Sequence, residues 1–331
     1  MTWLRRNWFV PGLVAAVALA WLFPAAGAKG GLLRTEFTAK AGVALIFFLQ
    51  GLTLSLAALR FGVLRWRLHV LVQIWIFLLF PLTGLLFDRL AGGALPSDLR
   101  MGFLFLCVLP TTVSTAIVFT AVAGGNTGGA VFNATLANLL GIALTPLWTR
   151  WLMQAGGRSL PLGPVILDIA LLLLAPLVAG QALRPWLGRW ADARRARVAA
   201  VNSGIVLFIV YAAFAGSVRA GVWERYGAST TLRALAGVLI LFVVVMMAVY
   251  LTVRAARLDR GDAIAGLFCA SQKTLAAGVP MAQLIFGANP GLGLILLPVM
   301  LYHPLQLMVH GLLATRWSRG RNRRGRMSPA G

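Results

Sequence analysis

Lys273 stands between two stretches, 261–271 and 275–286, that are too apolar and too long to form a surface loop. A lysine at the centre of a membrane helix costs about 2.5–3.5 kcal/mol on insertion scales, so its presence there calls for a function. Its neighbours are polar or break helices: Ser271, Gln272 and Thr274, then Gly278 and Pro280. Such a cluster fits an unwound stretch whose freed backbone groups line a cavity instead of facing lipid. The plainer alternative is a lysine snorkelling from a helix end.

A second apolar segment breaks in the same way half a chain earlier. Pro110 removes a helical hydrogen bond and clashes with the preceding turn. Thr111, Thr112, Ser114 and Thr115 then place four hydroxyls just past the break. Aligned on Cys107 and Cys269 the two segments are 162 residues apart, and Thr111 falls on Lys273 and Thr112 on Thr274. Each leads through one more apolar stretch into Gly-x-Asn, at Gly124–Asn126 and at Gly287–Asn289. Paired, interrupted hydrophobic segments in corresponding halves mark the solute site of a carrier.

Further polar residues lie in apolar surroundings. Asn133 and Asn138, in a segment with the small residues Ala134 and Ala137, and Gln73 earlier in the chain, are amides that serve either as ligands or as interhelical hydrogen-bond glue. Tyr302-His-Pro-Leu-Gln306 interrupts the last apolar segment. Of these, Gln306 joins the candidates; His303 reads equally as a proton relay and as a neutral cap for carbonyls that Pro304 frees. His69 and His310 are expected near the membrane interface. There are no acidic pairs in the spans, no HExxH or GxSxG, and no phosphate loop, which argues against an enzyme. No metal site of the His/Cys type is expected.

The helices that hold these residues in place follow from composition. Of 331 residues 60% are hydrophobic and 11% charged, against roughly a quarter charged in soluble proteins. At about 20 residues per span, ten spans are expected, at 8–24, 36–59, 68–90, 99–123, 127–151, 162–183, 199–218, 231–254, 261–287 and 290–314. Five spans per half is an odd number, so the two halves insert with opposite orientation. The net charge of +22 is placed asymmetrically: with the amino terminus in the cytoplasm, cytoplasmic loops and ends hold 19 Lys and Arg and the other side 10. That is the positive-inside pattern with both termini cytoplasmic. The arginine-rich tail reads as an anchor to anionic lipid headgroups, not as a nucleic-acid arm. The first apolar run resembles a signal peptide, but the two-half symmetry needs it retained. Cys107 and Cys269 read as small buried residues. Arginine outnumbers lysine 27 to 3, which suits a GC-rich bacterial genome.

At Leu109-Pro-Thr-Thr-Val-Ser114, Gly124-Gly-Asn126, Phe132-Asn133, Cys269-x-x-Gln272-Lys273 and Leu301-Tyr-His-Pro-x-Gln306, the chain resembles the bile acid:sodium symporter superfamily. More narrowly, it is similar to the branch of bacterial proteins related to member seven of solute carrier family ten. The resemblance implies an all-α polytopic protein of about ten helices in two inverted five-helix repeats, over 1–158 and 159–315, with a cytoplasmic tail at 316–331. Helices four and nine would be broken and cross at mid-membrane, and a core domain would rock against a panel domain, both interleaved across the repeats. In the sodium-coupled members the ion ligands include a Glu-x-x-x-Gln in the ninth helix. Gln272 matches the Gln, Phe268 stands where the Glu would be, and Ala130 and Ala134 fall on the fifth-helix positions. A sodium site would therefore rest on Ser114, Thr115 and Gln272, with Asn133 the nearby substitute.

The expected function is secondary active transport of a small organic, anionic solute by alternating access. Lys273 would either replace the sodium ion permanently or carry a proton. Sodium or a proton is the expected coupling ion, and no other cofactor is expected. The rivals are ordinary sodium-coupled symport and a membrane regulator that inherited the fold. Oligomeric state is not set by the sequence.

Overall fold

A backbone immersed in hydrocarbon must satisfy its own N–H and C=O groups, and this chain does so with helices. The computed structural model describes residues 8–53, 65–155 and 162–326, and among them there is no strand. The main helices are α1 (Phe9–Leu22), α2 (Thr35–Thr53), α3 (Trp66–Ala91), α4 (Ser97–Val108), α5 (Ser114–Ala123), α6 (Thr127–Ala155), α7 (Leu162–Ala193), α8 (Arg195–Arg219), α9 (Val222–Ala255), α10 (Arg260–Ser271), α11 (Leu275–Phe286) and α12 (Leu292–Arg326). Six of them, α3, α6, α7, α8, α9 and α12, are long and apolar enough to cross a membrane; α1 and α5 are shorter apolar helices.

The two spans expected at 99–123 and 261–287 are each a pair of half-helices. Pro110 has no N–H and drives the residue before it out of helical conformation, and Leu109 is extended (φ −68°, ψ 149°), ending α4. Ser271 is the last residue of α10, Gln272 is extended (φ −88°, ψ 150°), and α11 restarts after Thr274, whose hydroxyl accepts from Ala277 N–H. Gly124, left-handed at φ 72°, closes α5, a conformation that glycine adopts without penalty.

Other boundaries differ from the sequence reading. α7 continues to Ala193, well beyond 183. α9 starts at Val222 and bends at Gly227 (φ 66°, ψ 178°). α12 runs on to Arg326, so the first part of the basic tail is a helical extension of the last span; arginine is a good helix former. The boundary expected at 158/159 lies outside the described residues.

α2 and α7 form the most extensive helix pair. A Cβ on Gly51 would sit 2.1 Å from Leu177 O, and one on Gly180 would sit 2.1 Å from Phe48 O. The two backbones thus touch through one glycine from each side. α1 packs on α8 through Leu13, Ala16 and Ala20. α4 and α5 pack on α12, and α10 packs on α5, α6 and α9.

Candidate functional site

The two breaks meet. Thr274 N–H donates to Pro110 C=O at 3.0 Å, one main-chain bond between the interrupted segments. Breaking α4 leaves carbonyls without helical partners, and buried carbonyls need partners. Each one from 107 to 111 has one. Lys273 Nζ donates to Cys107 O at 2.8 Å and to Leu109 O at 2.6 Å. Thr145 Oγ1 donates to Val108 O at 2.9 Å, Thr274 N–H takes Pro110 O, and Asn138 Nδ2 donates to Thr111 O at 2.9 Å.

Lys273 is fully buried. Besides the two α4 carbonyls its ammonium reaches Ile76 O at 3.4 Å and lies 3.9 Å from the centroid of the Phe80 ring. Ile76 belongs to a π-helical turn, Trp75–Leu79, within α3. Pro81 follows it and has no N–H to give that turn. Among the described residues no carboxylate pairs with Lys273. Its charge is balanced by carbonyl dipoles at the negative end of α4 and by an aromatic face.

Gln306 holds the backbone that carries this lysine: Lys273 N–H donates to Gln306 Oε1 and Gln306 Nε2 donates to Lys273 O, both at 2.8 Å. Tyr302 OH donates to Ser271 O at 2.8 Å. His303 Nδ1 lies 3.0 Å from Gln306 Nε2, and since that amide nitrogen is a donor, Nδ1 accepts.

Successive side chains of an extended segment point opposite ways, so Gln272 leaves Lys273 and faces α5. Its Oε1 accepts from Thr115 Oγ1 at 2.7 Å and from Thr112 Oγ1, and the two hydroxyl oxygens are 2.6 Å apart. Three oxygen–oxygen approaches thus share two hydroxyl protons. Gln272 Nε2 and Thr111 Oγ1 are buried without hydrogen-bond partners. Ser114, grouped with Thr115 and Gln272 from the sequence, is exposed and outside this cluster. Each residue turns a helix by about 100°, so Ser114 and Thr115 cannot face the same point, and Thr112 takes the place instead.

A second polar group lies between α3 and α6. Gln73 Nε2 donates to Asn133 Oδ1 at 3.2 Å and to Asn133 O at 3.3 Å. Asn133 Nδ2 donates to Gly129 O at 2.9 Å and meets His69 Nδ1 at 3.0 Å. Gln73 Oε1 is buried without a partner. His69 and His310, expected at the interface, are 7% and 0% exposed. His69 lies tilted against Phe132, ring centroids 4.0 Å apart and planes at 38°; His310 sits among Phe119, Phe242 and Phe268 with Nε2 at 3.2 Å from Ser271 Oγ.

Sequence reasoning missed Thr145, Tyr302 as a carbonyl donor, and the π turn beside Pro81. Thr145 sits inside α6, where a lone hydroxyl commonly bonds back to its own turn, so its type and position gave no sign of a partner on α4. The pair Phe80-Pro81 within an apolar run, by contrast, was a readable sign of a disturbed helix.

Interrupted helices that meet around a buried lysine, in a chain whose described residues include six helices long and apolar enough to cross a membrane, are the features of an integral, multi-pass membrane protein. Residues 7–319 match the SBF-like CPA transporter family, and the chain belongs to that family. The Pseudomonas aeruginosa protein PA2026 is 39% identical over 318 residues, covering 95% of this chain and 93% of its own length. YfeH of Escherichia coli is 37% identical, covering 94% and 92%. Sodium/bile acid cotransporter 7 of Rattus norvegicus is 30% identical over 320 residues, also covering 94% and 92%.

Proposed function

We propose that this protein is a secondary active transporter of a small organic anion, working by alternating access, in which the Lys273 ammonium permanently occupies the place of a coupling cation. The observation that carries this reading is the ammonium itself: fully buried, paired with no carboxylate among the described residues, and bound by the carbonyl oxygens of Cys107, Leu109 and Ile76. Carbonyl oxygens at a broken helix end are the ligands that transporters offer to a coupling ion. The solute would meet the first turns of α5 and α11. Val113 gives α5 no side-chain cap, whereas Thr274 caps α11, and Val113, Ser114 and Ala276 are exposed; helix amino ends attract anions. Thr111, Thr112, Thr115, Asn133, Gln272, Thr274 and Gln73 supply polar groups around them, with His303 and Gln306 behind.

The architecture belonging to this reading is ten spans in two inverted repeats, 1–158 and 159–315, with both termini in the cytoplasm of a bacterium and the protein in its inner membrane. The 162-residue offset of the two breaks supports it; the same offset carries α1 onto α7 and α2 onto α8, and the two packed pairs α2–α7 and α1–α8 are the contacts that such a two-fold relation exchanges. The charge asymmetry of the loops supports the orientation, and the tail would rest on anionic lipid headgroups.

Thermal unfolding of the purified protein in detergent, across sodium concentration and pH, tests the assignment. A ligand of the folded state raises the midpoint by mass action, about 2.7 kcal/mol at a hundredfold excess over Kd. The wild type is expected to ignore sodium, while Lys273→Ala, which empties the carbonyl cage, becomes sodium-responsive. Sodium stabilisation of the wild type would overturn the built-in cation. It would favour sodium-coupled symport, the reading suggested by the rat relative's name and by the Thr112, Thr115 and Gln272 oxygens, where a cation would relieve three approaches sharing two protons.

A further inference from the structure

The Gly-x-Asn that ends each half of the sequence repeat takes no part in the site. Asn126 lies between α5 and α6, past the left-handed Gly124. Its Nδ2 donates to Asp262 Oδ1 at 2.6 Å, its Oδ1 accepts from Gly129 N–H at 2.9 Å, and its own N–H donates to Gly261 O at 2.9 Å. Asp262 is buried in the first turn of α10, and its second oxygen faces Arg65 Nη1 at 3.4 Å. Asn289 lies between α11 and α12 and repeats the arrangement. Its Nδ2 donates to Asp98 Oδ1 at 3.2 Å and its Oδ1 accepts from Gly291 N–H at 2.7 Å. Asp98 is in the first turn of α4. A Cβ on Gly291 would lie 2.2 Å from Asp98 Oδ2, so this turn wraps closely around the carboxylate.

The two clasps are reciprocal. One ties the far end of α5 to the start of α10; the other ties the far end of α11 to the start of α4. The covalent linkers join α4 to α5 and α10 to α11, so the four half-helices close into a ring of two extended linkers and two Asn–Asp joints. A single main-chain bond, Thr274 N–H to Pro110 O, crosses its middle. Extended linkers are natural hinges. Left alone, each half-helix could pivot about its linker, and the carbonyl cage around Lys273, which draws on both segments, would come apart.

We infer that Asn126–Asp262 and Asn289–Asp98 are positioning residues that close the four half-helices into one frame, so that the crossing moves as a single body during transport. This rests on the transporter reading for its purpose, but not for its geometry. Elements of a packed structure that share closed connections open together, whereas a purely local contact opens alone.

Hydrogen–deuterium exchange of the full chain in detergent micelles tests it, with Asn126→Ala and Asn289→Ala compared with wild type. Each variant is expected to raise exchange several-fold at its own clasp, at both linkers (109–113 and 272–274), and at the opposite clasp. The exchanged pair Asn126→Asp with Asp262→Asn keeps one amide and one carboxylate at the joint and should return the pattern to that of wild type. A rise confined to 124–130 and 259–264, or to 287–292 and the start of α4, would overturn the inference. So would a spread that the exchanged pair fails to reverse, since it would then come from lost packing. Should one alanine variant fail to fold, the other clasp and the exchanged pair still decide the matter. Exchange is read without any solute flux, so a chain that carried nothing would give either result.

Discussion

At the scale of single residues, burial converts ordinary polar groups into obligations. Gln306 satisfies both the N–H and the C=O of Lys273, in a linker where neither group has a helical partner. Gln306→Leu leaves two buried backbone groups unsatisfied at about 1–3 kcal/mol each, so the thermal midpoint in detergent should fall clearly. Gln306→Glu keeps an acceptor for the N–H, and its midpoint should fall less than that of the Leu variant. Equal midpoints for wild type and Leu variant would mean that water replaces the side chain. Gln272 is the opposite case, since one end of its amide is over-supplied with hydroxyls and the other is buried without a partner.

Helices show the same dependence on partners. α10 starts at Asp259, whose carboxylate accepts from Asp262 N–H at 2.8 Å and pairs with Arg65 at 2.7 Å. That carboxylate is held below the ordinary carboxylate range, chiefly by the bond from Asp262 N–H; partial burial opposes this and Arg65 reinforces it. Because the folded value is depressed, its stabilisation is complete above the unfolded value, about 3.9, and is lost as pH falls through the lower folded value. Asp259→Asn keeps a capping oxygen without the charge, and its midpoint should change less than that of wild type on acidification below about pH 4. Parallel acid profiles would show that the charge adds nothing to the cap. At α2 and α7 the constraint is steric. Gly51→Ala would press a methyl carbon against Leu177 O at 2.1 Å, and overpacking of this kind costs about 1–3 kcal/mol. A midpoint unchanged from wild type would mean that the two helices separate freely.

For the molecule as a whole, the telling contact joins α8 to the turn before α12. Ser217 Oγ donates to Pro290 O at 2.8 Å and accepts from Gly293 N–H at 2.9 Å. An ideal Cβ on Gly293 lies 3.2 Å from Ser217 Cβ, just under the roughly 3.5–4.5 Å of disulfides. Cysteines at both positions should cross-link readily in membranes under mild oxidant, and the native Cys107 and Cys269 are buried and should not compete. A cross-link that does not form would mean that this docked arrangement is scarcely populated. Under the proposed alternating access, such a contact would break in one state and hold in the other.

Membrane character, the two interrupted segments, Lys273 and the family were all legible in the sequence, because each rests on local chemistry. Lipid forbids an unpaired charge wherever the fold puts it, and proline ends a helix whatever surrounds it. The meeting of the breaks, the partner of each freed carbonyl, and Thr112 in place of Ser114 were not legible. Those depend on which residues 160 or so positions apart come within hydrogen-bond reach, and on helix phase across a break, which periodicity cannot carry past a non-helical linker. His69 and His310 make the same point: near a span's end in sequence, they are buried because neighbouring helices extend over them. Residue types and their order were enough to establish that the chain lives in lipid and carries a cation there. That carbonyls of a broken helix, not a carboxylate, balance the charge emerged from the packing of distant segments, because a dipole acts only where the fold aims it.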